Sequence, residues 1–136
     1  MIALDTNILV RYLSQDDPVQ CAEVDRFMAQ LSADAPGFVC REVLVELVWV
    51  LERSYAYPRE DIARALEGLL SATELQIECS GDVGAILQLY ADKGFGFSDL
   101  MIHQASLRAG SQSLVTFDRK AAQLDGVDLL GEARPS

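Results

Sequence analysis

Four carboxylates stand out by their surroundings. Asp5 and Asp118 each close a short apolar run, after Ile2-Ala3-Leu4 and after Val115-Thr116-Phe117. Asp99 follows Ser98 where a helical pattern begins. Glu46 is the only charge within Val43-Leu44-Val45-Glu46-Leu47-Val48-Trp49-Val50-Leu51. A helix apolar on every side is expected to be buried, and a lone ionised Glu there would cost several kcal/mol or titrate upward. Two arrangements relieve that cost structurally: an ion pair with an arginine from another helix, or a narrow wet stripe along the helix. The third is a carboxylate aimed into a polar site filled by a cation. Glu42, one turn earlier, could face the same way and support such a site.

Each aspartate also has an ordinary explanation, because a carboxylate at a helix start caps free amides and complements the helix dipole. Convergence would change the physics. At an effective dielectric of 20, two carboxylates about 4 Å apart repel by roughly 4 kcal/mol, and no nearby run of Lys or His offsets it. A hard divalent cation would, and all-oxygen ligands select Mg²⁺ or Mn²⁺ over zinc. With no nucleophilic Ser or Cys beside a base, such a site suggests metal-assisted hydrolysis of a phosphodiester. The only histidine, His103, lies one turn after Asp99 and reads as a surface or core-edge residue. A single histidine excludes a ribonuclease mechanism built on a histidine acid/base pair.

The elements that must position these groups alternate between strand and helix. Residues 2–4 read as a strand, then Asp5-Thr6-Asn7 as a cap and 8–13 as a short helix. Asp16-Asp17-Pro18, a cap followed by an N1 proline, opens a helix with Val24, Phe27, Met28 and Leu31 on one face. A strand over 38–40 leads into an apolar helix from 41 to about 55. Pro58 and Glu60-Asp61 start another, with Ile62, Leu66, Leu69 and Leu70 inward. A strand over 75–79 follows, then helices over 81–93, closed by Gly94, and from Ser98-Asp99 to 110. Strands over 113–117 and 127–130 precede a polar tail over 132–136 that is expected to fray. Strands alternating with helices imply a mainly parallel sheet covered on both faces. In such sheets ligands bind at the carboxyl ends of the strands, where Asp5 and Asp118 stand.

Composition bounds the rest. No linker, repeat or low-complexity run divides the 136 residues, so one domain over 1–136 is expected. A chain of this length buries roughly 68% of its unfolded surface and needs no disulfide or structural metal. Cys21, Cys40 and Cys79 form neither a disulfide framework nor a zinc spacing and read as buried, reduced thiols. The first residues lack a basic signal region and no apolar run approaches about 18 residues, so a cytoplasmic protein without a membrane span is expected. A net charge of −10 excludes a general nucleic-acid coat protein. It leaves room for an acidic nuclease whose charge surrounds cations, and nine Arg against two Lys favour bidentate phosphate contacts.

Asp5-Thr6-Asn7 after the first strand, Glu46 in an apolar helix, Ser98-Asp99 opening a later helix and Thr116-Phe117-Asp118 closing the next strand resemble the PIN domain. The likeness spans nearly the whole chain, and residues 5–13 followed by Asp16-Asp17-Pro18 resemble the VapC-type toxins of bacterial type II toxin–antitoxin systems. The resemblance implies a PIN-like three-layer α/β/α sandwich with a mainly parallel central sheet. It further implies an Mg²⁺-dependent endoribonuclease, Mn²⁺ substituting, that cuts tRNA or rRNA. A homodimer and a small antitoxin partner belong to the same expectation. Carried over by position, Asp5, Glu46, Asp99 and Asp118 form the metal and catalytic site. Thr6 or Asn7 would orient Asp5, Thr116 would bond a metal ligand or water, and Glu42 would support. Three alternatives stand beside this: a housekeeping RNA-processing nuclease without antitoxin, a silent acidic-pocket binding module, and a phosphoryl-acceptor receiver domain. A small neighbouring reading frame would separate the first from a toxin and a metal-dependent activity assay would expose the second. The third needs a lysine at a late strand end, and Lys120 falls two residues after Asp118.

Overall fold

Short β-branched and apolar runs become short parallel strands, and the amphipathic segments between them become helices. The computed structural model describes residues 1–131; the tail expected to fray, 132–136, lies outside them. In chain order the elements are β1 (Ile2–Ala3), α1 (Thr6–Ser14), α2 (Pro18–Met28), β2 (Gly37–Val39), α3 (Arg41–Arg53) and α4 (Arg59–Ser71). They continue with β3 (Leu75–Ile77), α5 (Ser80–Lys93), α6 (Phe97–Arg108), β4 (Leu114–Thr116), a 3-10 turn at Ala121–Gln123 and β5 (Val127–Leu129). The architecture is a PIN-like α/β/α fold whose strands pair in parallel. The ladder is interrupted: β1, β2 and β3 form one sheet in that order, and β4 pairs with β5 in a second.

The caps anticipated from sequence hold the helix starts. The Asp17 carboxylate accepts from the Val19 and Gln20 amides, with Pro18 at the first helical position. Gly94 closes α5 at a φ of 74°, a left-handed conformation that glycine adopts without a Cβ penalty. The core runs through Leu9, Val39, Leu44, Leu47, Leu51, Ile62, Leu66, Val83 and Leu87, all nearly inaccessible. Tyr90 is buried with them; its hydroxyl donates to Glu52 Oε2 at 2.7 Å, and Arg59 lies over its ring, 4.5 Å from the centroid.

Two expectations fail for local reasons. The strand expected over 75–79 stops at Ile77, because Cys79 turns left-handed at φ 55° and opens α5. Cys79 is therefore exposed and Cys40 half-buried, and only Cys21 is the buried thiol expected of all three.

Gly37 in β2 permits the closest packing of the core around the strands. A Cβ there would stand 2.9 Å from Leu31 Cδ1, 3.1 Å from Leu4 Cδ1 and 3.2 Å from Leu75 Cδ2. Gly37→Ala is expected to destabilise the fold by about 1–3 kcal/mol through overpacking, read as a lower midpoint in urea denaturation.

Candidate active site

Asp5 leaves β1 directly. Leu4 is buried beneath it, and the Asp5 backbone is extended (φ −86°, ψ 166°) as the N-cap of α1. Its Oδ1 accepts from the Thr6 amide at 2.7 Å, while Thr6 itself is buried, 5% exposed, the one such polar residue among the described residues. Asn7 is exposed at the rim. Asp5, Thr6 and Asn7 line a cleft of about 320 Å³ together with Glu46 of α3 and with Arg11 and Tyr55.

Glu46 does not sit in a buried apolar environment. The buried residues of α3 are Val43, Leu44, Leu47, Val48 and Leu51, whereas Glu42 and Glu46 are exposed and Trp49 is 56% exposed. Residues 42, 46, 49 and 53 fall on one helical face at i, i+4, i+7 and i+11, so α3 carries a wet stripe. Exposed in this way, Glu46 bears no burial cost, and its position alone favours a site. Besides the cleft shared with Asp5, it lines a groove between α3 and α6 with Glu42 and Ser98, which joins it to the start of α6.

Asp99 lies in the first turn of α6, whose N-cap is Gly96 and which has no side-chain cap hydrogen bond. Gly96 leaves room for it: a Cβ there would be 3.0 Å from Asp99 Oδ2. Burial, and secondly the negative charge of Asp118, hold the Asp99 carboxyl above its usual range. Asp118 follows β4 in a fixed turn. Its amide donates to Thr116 Oγ1 at 3.0 Å and its Oδ1 accepts from the Ala121 amide at 2.8 Å. Thr116, expected to bond a metal ligand or water, thus bonds the backbone of Asp118. The capping that competed as an explanation is real at Asp5 and Asp118 and absent at Asp99.

Arg11 is the basic residue that lines the cleft beside Asp5 and Glu46 among the described residues. Among the described residues the ion pairs are Arg11–Asp16, Arg64–Asp61 and Arg108–Asp82, and none includes Asp5, Glu46, Asp99 or Asp118. Nor does any group of three or more His, Cys, Asp or Glu among the described residues close into a metal-holding cluster. Asp5 and Glu46 line one cleft, Glu46 shares a groove with Ser98 at the start of α6, and Asp118 lies near enough to raise the Asp99 carboxyl. The donor set suits a hard divalent ion, being all oxygen with no thiolate or imidazole. His103 stands apart, its Nε2 2.8 Å from the Asp125 carbonyl oxygen.

Sequence reasoning passed over Arg11 and Tyr55, which line the cleft with the carboxylates, and Asp16, which bonds to both. Tyr55 lies 44 residues from Arg11, and no periodicity links them. Burial of neither partner nor spacing could have paired them from sequence. No helix among the described residues is long and apolar enough to cross a membrane.

Comparison with known proteins places this geometry in context. Residues 2–127 match the PIN domain. The chain is 29% identical over 125 residues to a VapC ribonuclease of Aquifex aeolicus (strain VF5), an alignment covering 91% of this chain and 92% of that protein. With the match extending from β1 to the start of β5, the chain belongs to the PIN-domain family.

Proposed function

We propose that this chain is an Mg²⁺-dependent endoribonuclease, with Mn²⁺ as a substitute, and the toxin of a toxin–antitoxin pair. The observation that carries the reading is that carboxylates from four separate segments draw together, Asp5 with Glu46 in one cleft and Asp118 near enough to Asp99 to push it, with burial, toward protonation. Similarity to a VapC ribonuclease supports the nuclease and its RNA substrate. A tRNA or an rRNA loop is the target class, and the chain acts as one domain over 1–136, in the cytoplasm, as a homodimer with a small antitoxin.

Asp5, Glu46, Asp99 and Asp118 would hold the cation. When bound, it supplies the Lewis-acid charge that activates water for in-line attack and stabilises the leaving oxygen. The chain's own groups set the stage. The Thr6 amide fixes one oxygen of Asp5 and the Ala121 amide one oxygen of Asp118, leaving the other oxygen of each for a ligand. Thr116 anchors the turn that presents Asp118, Asn7 lines the rim beside Asp5, and Glu42 extends the acidic face along α3. A net charge of −10 repels RNA at long range, so binding depends on the cation and on locally placed arginines.

Brief expression followed by sequencing of new RNA 5′ ends tests the reading. Wild type is expected to produce cuts at a few discrete positions in structured RNA, and Asp5→Asn to produce none. Equal patterns from the two proteins would contradict it.

A further inference from the structure

Arg11 stands on α1 between two clefts. On one side it shares the carboxylate cleft with Asp5, Glu46 and Tyr55, and it is the one basic residue lining that cleft among the described residues. On the other side it lines, with Asn7, Gln20 and Phe27, a cleft of about 440 Å³ between α1 and α2. Arg11 and Asn7 are the residues that line both clefts, so the guanidinium lies where the two adjoin.

That guanidinium is held in place beforehand. Its Nε donates to Gln20 Oε1 at 2.6 Å, and its Nη1 to Tyr55 OH at 3.1 Å and Asp16 Oδ1 at 3.3 Å. Asp16 is in turn fixed by the Tyr55 hydroxyl, which donates to its Oδ2 at 2.7 Å, and by Ser14 Oγ, which donates to its Oδ1 at 2.9 Å. Nη2 has no partner among the described residues. The rotamer entropy of a long side chain is therefore already lost on folding, and a ligand meeting Nη2 would not bear that cost again. Guanidinium donors suit phosphate oxygens.

From this geometry we infer that Arg11 is a substrate-binding residue whose Nη2 receives the RNA phosphate next to the scissile one, with Asp16 and Tyr55 positioning it. The inference rests on the endoribonuclease reading. It differs from a purely structural staple of α1 to α2 in one respect. A staple predicts that Asp16→Asn alters stability and not RNA affinity, whereas a phosphate seat predicts that Asp16→Asn, which keeps an oxygen to position Arg11 and removes the competing negative charge, strengthens RNA binding.

The test uses the full chain carrying Asp99→Asn, which does not cut, with a fluorescent single-stranded RNA dodecamer in Mg²⁺ at several salt concentrations. Arg11→Gln is expected to weaken binding by about ten- to a hundredfold and to flatten the log–log salt dependence by about 0.7. Asp16→Asn is expected to tighten binding by about threefold, while Asp34→Asn, an exposed acid elsewhere, leaves it unchanged. Unchanged affinity and salt slope in Arg11→Gln overturn the inference. If Arg11→Gln does not fold, an Asp16→Asn variant that binds no more tightly than its parent overturns it instead. When wild type cuts RNA but these variants behave as their parent, the inference alone fails. When wild type neither binds nor cuts any RNA, the endoribonuclease reading fails and takes this one with it.

Discussion

An Asp99→Asn variant is expected to lose RNA cleavage by orders of magnitude while melting no lower than wild type in metal-free buffer. Active-site substitutions usually trade along one axis, but here the two effects separate. Asp99 makes no hydrogen bond or ion pair among the described residues, so asparagine forfeits no stabilising contact there. What it removes is a charge that burial and Asp118 both disfavour. The folded protein binds a proton at Asp99 at higher pH than the unfolded chain does. That group's cost is therefore fully present above its folded titration point and is relieved as pH falls toward the ordinary carboxylate range. The variant's advantage in metal-free melts should accordingly be largest near neutral pH and vanish in acid. Asp5 and Asp118 would behave differently on truncation to alanine. Each caps a backbone amide, and losing a cap costs about 1 kcal/mol.

Millimolar Mg²⁺ should invert the ranking of the two proteins. A ligand that binds only the folded state stabilises it by mass action, by about 2.7 kcal/mol at a hundredfold excess over its dissociation constant. In wild type the relief of carboxylate repulsion is part of that binding free energy, so its melting temperature should climb clearly on going from EDTA to Mg²⁺ or Mn²⁺. Asp99→Asn has one ligand fewer and should respond much less. Were the aspartates only helix caps, neither melting temperature would move with Mg²⁺, and the variant would keep whatever activity the wild type has.

Most of the elements could be read from the chain because their signals are local. Asp17-Pro18 and Gly94 mark helix ends through dihedral preference and amide capping, and the spacing of Val24 and Met28 marks a buried face. The wet stripe on α3, one of the arrangements open for Glu46, shows only when the helix residues are placed on a wheel. Glu42, Glu46 and Arg53 share one face with Trp49, so the wet stripe was present in the spacing, hidden by a tryptophan that ordinary burial preferences place inside. The 3-10 turn at Ala121–Gln123 is too short to carry any periodicity. Separation of the sheet into two ladders depends on strand pairing between distant segments, which sequence pattern does not encode. The same limit hid the Arg11–Asp16–Tyr55 network. The four acidic positions are legible individually, Asp5 and Asp118 through strand ends, Asp99 through a helix start and Glu46 as the lone charge of an apolar run. How near they come to one another is a property of the fold, which brings Glu46 to the Asp5 cleft and Asp118 toward Asp99.

Purified protein incubated with structured RNA, once with EDTA and once with Mg²⁺, tests the central claim most directly through the chemistry of the new ends. A carboxylate-held cation directing water at the phosphodiester leaves a 5′-phosphate and a 3′-hydroxyl, and EDTA should abolish the cuts, with Mg²⁺ or Mn²⁺ restoring them. Cleavage that persists in EDTA and yields 2′,3′-cyclic phosphates would mean that the 2′-hydroxyl attacks without metal, and would contradict the account.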